Sequence, residues 1–395
     1  MSKLKIIWIS WALPFPINYG GAIRTYYLLK ALSKTHSVTL LCFGQSKSIP
    51  NELREICSDV YIFPYDYDKR IAQLIAFIKR QCSFKFMFSS SAMDSWISKN
   101  AQKYQIVILD RTNVGWVNIP QYLPKIFNLQ NIESEVMVRM SKDDPNLIRK
   151  YFRAIDGKRL ERDEKELLRT ANLIFTTSDR EKMILRSWGL NMPIETIPNG
   201  VDIQRFSAKS DERSENTKIT DIFFIGSMNY YPNEQGLLFF IREVWPIISS
   251  KRPNTRLSIF VGNTNRQISK YKDHNIDFIP DNNSDRVSLF KASKLFIAPI
   301  MSGGGTHIKI LEAIAAGVPI VATSIGCEGL PFRDKEHCLI ADDPRSFASA
   351  CLDVLNNPIA ASDRAKKAYE LVKQLFNWDD IGNKMTKLIE SVVQH

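Results

Sequence analysis

The chain has 395 residues, 44% apolar and 24% charged, with 53 Lys and Arg against 42 Asp and Glu for a net charge of +11. This composition excludes wholesale disorder, and the length exceeds what one hydrophobic core usually serves, so two domains are expected. The charge is lopsided: residues 1–200 hold 29 basic and 19 acidic side chains, whereas residues 201–395 hold 24 and 23. Something acidic should therefore meet the first half: nucleic acid, an anionic membrane or a phosphorylated substrate.

In chain order, residues 5–10 (KIIWIS) read as a strand. Residues 21–32 read as a helix with apolar side chains at Ile23, Tyr27, Leu28, Ala31 and Leu32. Short runs that are apolar on both faces follow at 38–43, 60–64, 106–110, 125–129 and 173–177, the pattern of parallel strands covered by helices. Residues 197–221 change character. They open on the turn signal Pro198-Asn199-Gly200 and continue through a polar run at 207–220, which reads as an interdomain linker. Alternation then resumes, with strands expected at 222–225, 257–261, 276–279, 295–299 and 320–322. Helices are expected at 233–249, 306–316 and 378–393. The fold class is α/β, with two doubly wound, Rossmann-like domains facing a cleft. The expected boundaries are 1–200, a linker at 201–220, a second domain at 221–376 and a terminal helix at 377–395.

No apolar run reaches the ~18–20 residues of a membrane-spanning helix. The first ten residues read as a buried strand rather than a leader, because Pro14 and Pro16 break the apolar stretch. Six scattered cysteines without a CxxC pair suit reduced thiols, and five dispersed histidines argue against a metal centre.

The segment 299–317, PIMSGGGTHIKILEAIAAG, has the richest chemistry. Gly303, Gly304 and Gly305 let a ligand approach the backbone, and Thr306 is placed to cap the helix that follows. Free N–H groups and the helix dipole there suit a phosphate. Lys309 adds a charge one turn in, Glu312 shares its face, and Gly317 ends the helix. The plainer reading is a glycine turn followed by a surface Lys–Glu pair. In the loop after the first strand, Gly20 and Gly21 precede a helix and Arg24 adds a cation; common glycine-pair usage is an equal reading. Asp110 ends a strand, where either a ligand contact or a loop cap fits. Gly226 and Ser227 follow the first strand of the second half and could reach a ligand. Residues 69–88 interleave basic pairs with apolar side chains, which fits a membrane interface or, more simply, a core helix with solvated basic ends.

Together these segments resemble GT-B glycosyltransferases, most closely glycosyltransferase family 4. The resemblance rests on GGAIRTYYLLKAL, IPNGVD, FIGSMNYYPNEQG and the block GGGTHIKILEAIAAGVPIVAT with IGCEGL, in that order. It implies a retaining, metal-independent transfer of sugar from a nucleoside-diphosphate sugar, with no cofactor. The first domain would hold a glycan or lipid-diphosphate-linked acceptor and the second the donor. The last helix would cross back onto the first domain. By this likeness Lys309 contacts the diphosphate, Glu312 is the second Glu of an E-x7-E motif and binds the ribose, and Gly21 approaches the donor. Departures accompany it: Gly304 stands at the first Glu, His307 at a frequent Arg, Ser227 and Gln235 at a frequent Arg and Lys, and Asp110 at a frequent His. Arg24 is then expected to compensate for the missing cations and Asp110 to hydrogen-bond the sugar.

The expectation is cell-surface polysaccharide or glycoconjugate synthesis in the cytoplasm, with a peripheral position on the inner face of the membrane left open. Nucleic acid drops out for want of a module. The excess charge then fits an anionic bilayer or a lipid-diphosphate acceptor, with 69–88 as the contact. Two alternatives remain: a sugar-nucleotide epimerase or sugar-phosphate synthase of the same fold, and a non-catalytic nucleotide-binding partner in an assembly.

Overall fold

The computed structural model describes residues 3–45, 48–142, 146–207, 220–228, 230–261, 268–271, 275–280, 286–302 and 306–394. The chain divides into two compact units. Unit 1 comprises Met1–Pro198 and Trp378–His395, and unit 2 comprises Asn199–Asn377.

Unit 1 is built on seven parallel strands: β1 (Lys5–Ser10), β2 (Ser37–Phe43), β3 (Asp59–Phe63), β4 (Ile106–Asp110), β5 (Lys125–Asn128), β6 (Leu173–Thr176) and β7 (Ile194–Thr196). Their order is β3-β2-β1-β4-β5-β6-β7. The order reverses between β1 and β4, which puts a ligand-accepting crevice at the carboxyl ends of those two strands. Four helices of this unit matter below: α1 (Gly20–Ser33), α2 (Lys69–Lys79), α3 (Glu133–Lys142) and α4 (Leu147–Leu168). β1 is wholly buried beyond its first residue, as a central parallel strand covered on both faces must be.

Unit 2 repeats the plan with β8 (Thr220–Ile225), β9 (Leu257–Val261), β10 (Ile276–Pro280), β11 (Ser293–Ala298), β12 (Ile320–Ala322) and β13 (Leu339–Ile340). The order is β10-β9-β8-β11-β12-β13, so its switch point lies between β8 and β11. The relevant helices are α5 (Ile203–Ser207), α6 (Tyr231–Phe239), α7 (Arg286–Lys291) and α8 (Ile308–Ala315). The long helix expected over 233–249 is interrupted by a π-turn at Phe240–Val244 and restarts at Trp245. Pro246 sits in that restarted first turn, where its missing N–H costs no hydrogen bond. The stretch expected as linker is partly structured. α5 buries Phe206 against Phe290 and the unit 2 core, while residues 208–219 lie outside the described residues.

The last helix, α9 (Trp378–Gln394), belongs to unit 1. Trp378 stacks on Tyr27 of α1, with ring centroids 5.3 Å apart and planes within 4°. Gly382 faces Ala31 so closely that an added Cβ would stand 2.2 Å from the alanine methyl carbon. Ile381, Met385 and Ile389 fill the buried side of α9.

Among the described residues no helix is long and apolar enough to cross a membrane. All six thiols are buried and unpaired.

Candidate active site

In unit 2 the loops after β8 and β11 converge on the start of α8. That helix begins at Ile308, and the capping position falls to His307, whose side chain makes no capping bond. Thr306 is therefore not the cap; its hydroxyl is engaged elsewhere. Asn199, from the IPNGVD segment, donates its amide to both the Thr306 carbonyl and the Thr306 Oγ1, each at 2.8 Å. The turn-signal asparagine thus clamps the chain just before α8. Gly303, Gly304 and Gly305 lie outside the described residues. Gly317 ends the helix with φ +76°, a conformation that favours glycine.

Lys309, half-buried on the first turn of α8, donates to Asn233 Oδ1 at 2.7 Å, and its Nζ lies 5.3 Å from the Phe224 ring centre. Asn233 in turn donates to the Ser227 carbonyl at 3.1 Å. A Cβ on Gly226 would meet the Asn233 side chain at 2.8 Å, so the glycine makes room for the asparagine that orients Lys309. The Ser227 side chain is exposed. Burial, helped by the nearby Arg286 charge, pulls the Lys309 ammonium down from its ordinary value to about 7. A cation so destabilised gains from an arriving anion.

Glu312 is 5% exposed, and its Oε2 accepts from Arg286 at 2.6 Å. Burial raises its carboxyl pKa, opposed by the charges of Arg286 and Arg205. Its other oxygen, Oε1, has no hydrogen-bond partner among the described residues. Gln235 accepts from Ser302 at 2.9 Å, which ties α6 to the loop after β11. Burial and Lys309 push the His307 imidazole down to about 3, so it is neutral, and its buried Nε2 has no partner among the described residues. Arg286 is the cation that sequence reasoning missed. It lies on a six-residue helix with no motif around it, and only the fold brings it to Glu312.

The strand ends of unit 1 tell a different story. Ser10, Asp110 and Asn128 sit side by side at the ends of β1, β4 and β5. Asp110 is fully buried. It accepts from Thr25 Oγ1 at 2.5 Å, from Asn128 Nδ2 at 2.8 Å and from Gln130 Nε2 at 3.2 Å. Arg24 is 1% exposed and donates to Asn128 Oδ1 at 2.8 Å and to the Pro198 carbonyl at 3.0 Å. Burial lowers its pKa to about 10, opposed by the Asp110 charge. Asp110 and Arg24 thus make these bonds within unit 1. Both are committed to bonds that pin α1 to the sheet.

Arg111, the next residue, is a cation at these strand ends that retains partial exposure. It adopts φ +82°, and its guanidinium donates to Gln130 Oε1 at 2.5 Å, pairs with Glu133 at 3.4 Å and lies 5.1 Å from the Trp11 ring centre. A Cβ on Gly21 would stand 2.7 Å from both Arg111 Nη2 and Gln130 Oε1. Gly20 opens α1 and Gly21 follows, with no side-chain cap from Tyr19, so this helix start keeps its free N–H groups beside Arg111. Behind it, Glu164 of α4 accepts from Thr112 and Ser134 hydroxyls at 2.8 and 2.6 Å and from the first amides of α3.

The family model described as Glycosyl transferases group 1 matches residues 219–357, most of unit 2. An uncharacterised 44.6 kDa protein in the cps region of Klebsiella pneumoniae is 23% identical over 95% of this chain and 96% of its own length. A GDP-mannose-dependent monoacylated alpha-(1-6)-phosphatidylinositol monomannoside mannosyltransferase of Corynebacterium glutamicum is 25% identical. That match spans 52% of this chain and 58% of that enzyme. Among solved structures, Anabaena HepE in complex with UDP and glucose aligns with a TM-score of 0.73 at 13% identity, over 98% of this chain and 100% of that one. The chain thus has the GT-B fold, two parallel-sheet Rossmann-like units, and its residues 219–357 match the group 1 glycosyl transferase model.

Proposed function

We propose that the protein transfers a sugar from a nucleoside-diphosphate sugar to a glycan or lipid-linked acceptor, with retention of configuration and without a metal ion. The observation that carries this reading is Lys309: a half-buried ammonium on the first turn of α8 with its pKa drawn down to about 7. The donor's diphosphate would lie at the amino end of α8, meeting Lys309 and the helix dipole. The ribose hydroxyls would donate to Glu312 Oε1, while the Arg286 charge opposes the rise in its pKa that burial causes. Neutral His307 would offer a hydrogen bond without adding charge.

As transfer proceeds, the bond from the sugar's anomeric carbon to the diphosphate oxygen breaks and its electron pair stays on that oxygen. The acceptor hydroxyl bonds to the anomeric carbon on the same face, and its proton passes to the departing phosphate. Protein groups that stabilise the growing negative charge then carry the catalysis. The uridine diphosphate in the HepE structure and the guanosine-diphosphate sugar of the Corynebacterium relative support a nucleotide-sugar donor. The phosphatidylinositol monomannoside in that relative's name supports a lipid-borne acceptor, and the cps-region protein supports a polysaccharide setting.

The test is transfer from a panel of nucleotide sugars by Lys309→Ala and Glu312→Ala. Each should lower kcat/KM by about 100-fold or more, and unchanged activity in both would overturn the site. Loss of transfer on adding EDTA would contradict metal independence.

A further inference from the structure

Helix α2 is packed the opposite way from most amphipathic helices. Its buried contacts are Ala72 and Ala76, whereas Ile71, Leu74, Phe77 and Ile78 are 51%, 59%, 58% and 70% exposed. The small side chains let the helix sit close to unit 1, and the large apolar ones are left outside. A second set continues the surface. At the start of α4, Leu147, Ile148, Tyr151 and Phe152 are 78%, 69%, 66% and 51% exposed. The two sets meet, because the rings of Phe77 and Phe152 pack edge to face at 6.3 Å. Eight large apolar side chains on two touching helices exceed the scattered exposed hydrophobics of an ordinary surface.

The charge around this face is predominantly positive, although Asp68 caps α2. Residues 69–80 contain Lys69, Arg70, Lys79 and Arg80 and no acidic residue. Residues 146–159 contain five basic residues and one acidic residue, Asp156, which is held by Ser83 at 2.6 Å. In sequence, Asp143 and Asp144 precede this stretch, and the balance remains positive. The amino end of α4 adds the positive pole of a 22-residue helix. Apolar side chains that enter the acyl boundary, ringed by cations at headgroup level, match an anionic bilayer. A protein partner would have to supply both an apolar knob and an acidic rim.

We infer that the joint face of α2 and the first two turns of α4 docks unit 1 onto an anionic lipid bilayer. The docking surface is wider than the 69–88 stretch read from sequence, and α4 supplies half of it. Glu164, bonded to Thr112 just after β4, lies about 18 Å along α4 from Phe152 at 1.5 Å per residue. The helix thus connects the docked face to the crevice end of the sheet. The inference extends the lipid-borne acceptor reading, yet it stands on a separate readout, because vesicle binding needs no transfer.

The experiment is cosedimentation of the full chain with two vesicle types, phosphatidylcholine alone and a mixture of phosphatidylcholine and phosphatidylglycerol, at low and high salt. The wild type should bind the anionic vesicles at low salt and lose most binding at high salt. Leu74→Ser with Phe77→Ser, and separately Ile148→Ser with Phe152→Ser, should each weaken anionic binding at least tenfold. Both pairs should keep the wild-type melting temperature, since the replaced side chains are exposed. The result that overturns the proposal is no binding at low salt, or equal binding by all three proteins. Concentration-dependent dimerisation abolished by the same variants, without vesicle binding, also overturns it in favour of a second copy as occupant. A chain that binds vesicles but transfers no sugar leaves this surface standing and removes the enzymatic reading alone.

Discussion

The two strand-end clusters use the same kinds of residue to opposite effect. In unit 1, Asp110 and Arg24 are sealed from water and bonded to Thr25, Asn128, Gln130 and the Pro198 carbonyl. In unit 2, Lys309 has one neutral partner, Glu312 keeps one oxygen unbonded among the described residues, and His307 is held neutral. A charge whose bonding capacity is spent holds the fold; one whose capacity is partly unspent is set for a ligand. The contrast separates residues that sequence alone places in equivalent loops.

The largest way to break this comparison is Asp110→Ala. It would leave Thr25, Asn128 and Gln130 without their acceptor and remove the charge that opposes the burial of Arg24. A loss of about 3–5 kcal/mol in urea unfolding is expected. Lys309→Met should do the reverse. Its folded pKa is depressed, so the native state resists the proton that the unfolded chain binds below its ordinary value. The penalty is absent at high pH, grows as pH falls toward 7 and is complete below it. The substitution should therefore not lower the melting temperature at pH 6, even though it abolishes donor binding. A fall as large as that of Asp110→Ala would erase the distinction.

A smaller effect is expected where α9 returns to unit 1. Gly382→Val would drive a side chain into Ala31 and should cost about 1–3 kcal/mol, read as a lowered melting temperature with transfer chemistry retained below it. Asn199→Ala should be smallest in stability, about 1 kcal/mol. Its signature is a raised donor KM, because the clamp on Thr306 positions the start of α8. An unchanged KM would detach IPNGVD from the site.

Much of the fold was legible because buried parallel strands declare themselves as short apolar runs. β1, β4, β9 and β12 fall within the expected limits. β7 and β13, at three and two residues, are too short to carry a pattern. α4 escaped because charged residues surround most of it and its inner face includes Gly157, Asp163 and Glu164. In the site, Lys309 and Glu312 were legible through spacing on one helix. Arg111 and Arg286 were not, since their roles depend on a left-handed backbone and on a contact across 26 residues. The burial of Arg24 and Asp110 was not legible, because position at a strand end says nothing of it. The sequence left both readings of α2 open for a related reason: helical periodicity shows which residues share a face, while the alanines that decide which face turns inward carry little hydrophobic signal.

The central claim is that Lys309 awaits a diphosphate. Calorimetric titration of UDP and GDP into the wild type and Lys309→Met at pH 8, in two buffers of different ionisation enthalpy, tests it most directly. With a free pKa of about 7, Lys309 is mostly neutral at pH 8, and a bound diphosphate favours its charged form. The account predicts uptake of close to one proton on binding by the wild type, affinity that falls as pH rises above 7, and neither behaviour in Lys309→Met. Equal affinity and no proton uptake in either protein would contradict it.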